Sequence, residues 1–380
     1  MNRFAEVNLL EMTRAVSLAR DARRSALWRL IAALGVAALA AGCATAPMTS
    51  HVPVVTGPVV ASQLERGAVL RSLSLDANLE ERILALNPEH VSDRDVRSTL
   101  AAGPTPRIML VHGGVYPVYL LMESFSRFLT AMGYPEERIR DAGDGALSRS
   151  PYESGERQAG MIAWYYEHEG VRPILVGHSQ GGIQVVKILH ELAGSFGDEL
   201  HVFNPLTERF EERTTIVDPV TGHERPVVGV SVSAASVVGA GGWALVLPVH
   251  WIVLTRVRSI PDTVDEFTGY RIGIDFFAWD GPGLEGVKTF HADGKAKVRN
   301  VTLPAEYSHI FVPGTAQLAE DPAIREWINA FDPSNPASTP PPQGASNIMW
   351  AADVWHSIKR HWTLEAQRFV RARRGTAVAN

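Results

Sequence analysis

Ser179 lies in "PILVGHSQGGIQVVKIL" (173–189), where an apolar run passes through Gly177-His178-Ser179-Gln180-Gly181 into an apolar-periodic stretch. A serine hydroxyl becomes a nucleophile when a neighbouring base takes its proton, an acid holds that base, and N–H donors receive the developing oxyanion. A strand that turns sharply into a helix around G-x-S-x-G holds such a hydroxyl exposed. The first turn of the helix leaves N–H groups unpaired, so Gln180 N–H is one candidate oxyanion donor. A second donor is expected from the loop after an earlier strand. "RIMLVHGGVYP" (107–117) has that form, and its glycines let the backbone approach a substrate carbonyl closely.

These residues need elements to position them, and the hydrophobic pattern supplies them. "RIML" with Val111, and then "PILVG", read as strands. "YPVYLLMESFSRFLTAMG", "ESGERQAGMIAWYYEHEG" and "QGGIQVVKILHELAG" read as helices stopped by glycine, with "ERIRDA" as a weaker strand between the first two. Strand alternating with helix predicts an α/β protein with a mostly parallel central sheet and helices on both faces. Further along, "PVVGVSVSA", "IGIDFFAW" and "KVRNVTL" read as three more strands, and "AEDPAIREWINAF" as an amphipathic helix. The apolar insertion "GAGGWALVLPVHWIVLTRVRSIPD" (239–262) reads either as a cap hinged at Gly239, Gly241 and Gly242 or as a core-packing helix. Pro248 and the shortness of the run argue against a membrane span. The polar insertion 204–226 reads as a second excursion over the same end of the sheet, shaping the pocket or forming merely a hairpin.

The His112-Gly113-Gly114 loop after a strand and the G-H-S-Q-G turn resemble the α/β-hydrolase family, particularly its lipases and esterases, over roughly residues 105 to 332. The resemblance implies the α/β-hydrolase fold with a cap or lid insertion. It implies that Gly114, following the His-Gly pair, supplies the second oxyanion N–H. It also implies a chain order of serine, acid and histidine, with the histidine between the last strand and a final helix. Among the 13 histidines, His309 in "VTLPAEYSHIFVPG" has that position. His112 suits a loop-bracing role, His291 a polar hairpin, His250 an apolar segment and His190 the helix after the elbow. The acid is expected just past the strand before the one leading to His309. Asp280 in "FFAWDGPG" is the first choice, with Asp275 in the same run and Asp262 and Asp265 on a loop as alternatives. The expected chemistry is hydrolysis of carboxylic esters through an acyl-enzyme by Ser179, His309 and Asp280, with no metal or organic cofactor. Acyl transfer to an alcohol or amine by the same triad is an alternative. So is a non-catalytic envelope-binding lipoprotein on the same scaffold.

The rest of the chain bears on location and partners. The 380 residues are 46% hydrophobic and 20% charged, ample for a large core, and the formal charge of −5 gives no electrostatic case for nucleic acid. A single cysteine, Cys43, excludes an intrachain disulfide and a multi-cysteine metal site. The first 29 residues carry six arginines and three acids, and "LIAALGVAALAAG" then runs into Cys43. A basic stretch, a short apolar run and small residues together read as an export signal. "ALAAGC" is similar to a bacterial lipobox, which implies a signal over 1–42, lipidation at Cys43, anchorage to the cell envelope and, with Ala44 next, sorting to the outer membrane. Residues 43–60 read as a tether, 61–332 as the hydrolase domain, 333–346 as a Pro/Ser linker and 347–380 as an amphipathic helix and tail. The stripe Trp350, Val354, Ile358, Trp362 and Phe369 predicts that this helix packs back on the domain, the alternative being a membrane surface.

Overall fold

The computed structural model describes residues 75–279, 288–336, 340–342 and 344–378. The signal, Cys43, the tether and Asp280 lie outside the described residues.

Five strands form the central sheet: β1 (Ile108–Val111), β2 (Ile174–His178), β3 (Val232–Val238), β4 (Val264–Ile272) and β5 (Lys297–Leu303). They lie side by side in chain order, every pair parallel, with Ile108 opposite Ile174, His178 opposite Val238, Val238 opposite Tyr270 and Leu303 opposite Ile272. β1, β2 and β3 are buried along their whole length. Parallel strands covered on both faces read as continuous apolar runs for that reason. β5 is an edge and alternates with exposed polar residues such as Lys297 and Asn300, a composition that discourages further strand pairing.

Alternate strand residues feed two separate cores. Leu110, Ile174, Val176 and Tyr270 face one layer, and Met109, Val111, Leu175 and Phe267 the other. The first layer includes helices α1 (Ala77–Ala85), α2 (Asp93–Ser98), α3 (Tyr116–Ala131), α6 (Pro322–Ala330) and α7 (Ile348–Val378). The second includes α4 (Gly155–Glu169) and α5 (Gln180–Leu192). The class is therefore α/β, with helices on both faces of a parallel sheet.

α7 belongs to this core. Trp350, Val354, Ile358 and Trp362 are at most 1% exposed, and Trp350 packs 4.6 Å from Phe125 between ring centroids, as Trp362 does from Tyr134. Its basic end is held by acids, with Arg368 at 2.7 Å from Glu365 and Arg374 at 3.0 Å from Glu80.

Three local readings are corrected. "ERIRDA" is not a strand: Glu136–Arg138 form a 3₁₀ turn, and the chain meets the β1 edge in a single parallel bridge between Val111 and Arg149. The strand expected at 226–234 lies at 232–238. The strand expected at 272–279 lies at 264–272 instead, and "IGIDFFAW" is a turn-rich loop. Residues 204–226 form two short hairpins. They are tied to α4 by Glu167, which meets Arg213 at 2.6 Å and accepts from Val217 N–H at 2.7 Å.

Candidate active site

The C-terminal ends of the parallel strands carry the site. Ser179 directly follows β2, with φ 56° and ψ −121°. A non-glycine residue held there stores backbone strain, as a nucleophile elbow requires. The turn is fixed by Ser179 N–H donating to the Val238 carbonyl at 2.8 Å and by close packing at Gly181, where a Cβ would collide with the carbonyls of Val111 and His112.

Ser179 Oγ lies 2.8 Å from Nε2 of His309, which stands in the loop after β5. His309 Nδ1 lies 2.6 Å from Asp275 Oδ2. Asp275 is 2% exposed and three residues beyond β4, and its Oδ1 accepts from the N–H groups of Phe277 at 2.9 Å and Ala278 at 3.0 Å. The carboxylate on the imidazole is thus Asp275's, one of the three alternatives to Asp280 from sequence. The reason is the eight-residue displacement of β4: the strand ends at Ile272, which brings Asp275 to its C-terminal end. Asp262 instead accepts from Ala296 N–H at 3.1 Å, and Asp265 pairs with Arg172 at 2.6 Å.

The expected oxyanion donors also converge here. Gly114 lies three residues past β1, and Tyr152 OH donates to its carbonyl at 2.9 Å. A Cβ on Gly114 would collide with the Gln180 side chain, so the loop is seated directly on the elbow. Neither Gly114 N–H nor Gln180 N–H has an acceptor among the described residues.

Two of the other candidate histidines are engaged elsewhere. His112 Nδ1–H donates to the Gly113 carbonyl at 2.7 Å and braces the loop. His190 bonds Ser195 at 2.9 Å and the Ser259 carbonyl at 2.9 Å, and His291 is exposed. His250 is fully buried, and among the described residues neither ring nitrogen has a partner. Two residues that sequence reasoning did not place beside His309 hold it. His178 Nε2 bonds the carbonyl of His309 at 2.6 Å. Gly239, at φ +63°, lies so close to His309 that an added Cβ would come 2.8 Å from its Cε1. In the sequence Gly239 reads only as a hinge of the 239–262 insertion.

The insertion 239–262 forms two 3₁₀ helices, Gly242–Val246 and Pro248–Val253. Trp243 N–H donates to the Phe277 carbonyl at 3.2 Å, so this excursion rests on the loop that carries Asp275. Among the described residues no group of three His, Cys, Asp or Glu side chains is placed to hold a metal, and no helix is long and apolar enough to cross a membrane. No protein-family model matches the chain, and no curated protein matches it significantly.

Proposed function

We propose that this protein is a serine hydrolase of carboxylic esters on an α/β-hydrolase fold, capped by residues 239–262. The observation that carries the reading is the continuous relay from Ser179 Oγ to His309 Nε2 and from His309 Nδ1 to Asp275. Ser179 Oγ attacks the ester carbonyl carbon as its proton passes to His309 Nε2. The carbonyl oxygen becomes an oxyanion facing the N–H groups of Gly114 and Gln180. The C–O bond to the alcohol then breaks, and the leaving oxygen takes the proton back from Nε2. Water attacks the acyl-enzyme by the same relay in reverse, releasing the acid and restoring Ser179. Asp275 fixes the imidazole tautomer and stabilises the imidazolium without taking its proton. In the cell the domain is held by a lipid on Cys43 at the envelope membrane, with an ester as its substrate.

Labelling of the full-length protein in detergent with a fluorophosphonate tests the reading. Wild type labels, Ser179→Ala does not, and His309→Ala labels far more slowly. A folded wild type that resists the probe overturns it.

A further inference from the structure

Four aromatic rings run outward from the base. Phe277 lies 5.3 Å from the His309 imidazole between centroids, and Phe276 lies 6.2 Å from Phe277. Trp243 lies 6.2 Å from Phe276 and 5.2 Å from Trp279. Rings of this size ordinarily supply a core, yet these are 48% (Phe277), 45% (Phe276), 41% (Trp243) and 39% (Trp279) exposed. Together they leave on the order of 300 Å² of ring surface open to solvent, the size of the largest apolar patch on a typical monomer, which is often functional. The loop that holds Phe276, Phe277 and Trp279 is well fixed. Asp275 Oδ1 accepts from two of its N–H groups, and Gly242 packs against Phe277 and Ala278 with no room for a side chain.

The chemistry of the relay decides which part of a substrate meets these rings. The carbonyl oxygen must face Gly114 and Gln180, on the β1 side of Ser179. The leaving oxygen must reach His309 Nε2 to recover a proton, so it lies on the opposite side, against the imidazole. Whatever that oxygen carries continues past His309, and the nearest of the four rings there is Phe277. The run presents carbon surface and two indole N–H groups, a composition suited to an alkyl chain or ring rather than to a polyol.

We propose that Phe277, Phe276, Trp243 and Trp279 form the subsite for the alcohol portion of the ester, and that the substrates are esters of apolar alcohols. The inference rests on the ester-hydrolase reading above. Its test compares kcat/KM for ethyl acetate, octyl acetate and ethyl octanoate in wild type, Trp243→Ala and Phe276→Ala. Both side chains are more than 40% exposed, so the variants fold. Wild type favours octyl over ethyl acetate by about tenfold or more, and that ratio falls at least fivefold in each variant. A ratio near one in wild type overturns the proposal, as does a loss confined to the ethyl octanoate to ethyl acetate ratio, which would place the acyl chain on the rings. Calorimetric titration of the Ser179→Ala protein with 1-octanol tests the subsite without turnover. Binding weakened at least fivefold by Trp243→Ala supports it, and binding unchanged overturns it. Absent fluorophosphonate labelling, in contrast, strikes the hydrolase reading alone.

Discussion

His178 Nε2 lies 2.6 Å from the carbonyl oxygen of His309, so the residue before Ser179 grips the backbone of His309 while Ser179 meets its ring. Burial, and then the neighbouring His309, hold His178 down to about 3, so it is neutral at ordinary pH. A carbonyl only accepts, and therefore Nε2 carries the proton, leaving Nδ1 bare and, among the described residues, without a partner. Turns and one short 3₁₀ helix make up the loop holding His309, and this bond compensates for that lack of regular structure. His178→Ala should lower kcat by about 10- to 100-fold, as misplacement of a catalytic group does, with KM little changed. His178→Gln, which keeps a donor, should recover part of the loss. Steady-state kinetics on a short ester separate the two parameters.

Asp275→Asn should lower kcat by about 10⁴-fold, because an amide offers the wrong partner to His309 Nδ1. Asp280→Asn should stay within about twofold of wild type. Parallel fluorophosphonate labelling rates decide between the two carboxylates.

Gly239→Ala should abolish most activity in a protein that still folds. The new Cβ would press on the His309 ring and sit at a φ of +63°, which L-residues rarely adopt. The stability cost is about 1 kcal/mol or somewhat more. Urea denaturation beside an ester assay reads both quantities.

Acid should destabilise the fold through His250. Burial, and then the Lys187 ammonium, lower its pKa from 6.5 to about 4. The unfolded chain takes up this proton as the pH falls through 6.5, whereas the native state resists until about 4. Stability from this residue is therefore full above pH 6.5 and lost on the way down, by up to about 3 kcal/mol. His250→Leu should flatten that part of the profile, visible as a smaller difference between urea midpoints at pH 7.5 and pH 4.5.

Trp362→Ala should cost about 3–5 kcal/mol, because the side chain is fully buried against Tyr134 and its Nε1–H donates to the Pro104 carbonyl at 3.2 Å. Thermal unfolding of the variant checks this.

Ser179 was legible because its motif is local: a strand, a sharp turn and a helix follow one another within 17 residues, and their pattern records the strain and the glycine contacts. His309 was legible from its order relative to a well-patterned edge strand, since "KVRNVTL" is β5 from its first residue to its last. The helical stripe of α7 was equally plain, because a face that packs on a core must repeat with the period of the helix.

The acid was not legible. Hydrophobicity alone favoured "IGIDFFAW" over "VDEFTGYRI" as the strand, and apolar residues normally mark what is buried. Here the second segment holds the sheet, although Asp265, Glu266 and Gly269 interrupt its pattern. The first keeps Ile274, Phe276, Phe277 and Trp279 in contact with water. Sequence by itself determined most of the elements, their order and the strand, turn and helix around Ser179, because these depend on neighbours along the chain. Tertiary structure alone decided which carboxylate meets His309, that His178 and Gly239 brace it, and that four aromatic rings stay exposed, because those contacts join strand ends that lie dozens of residues apart.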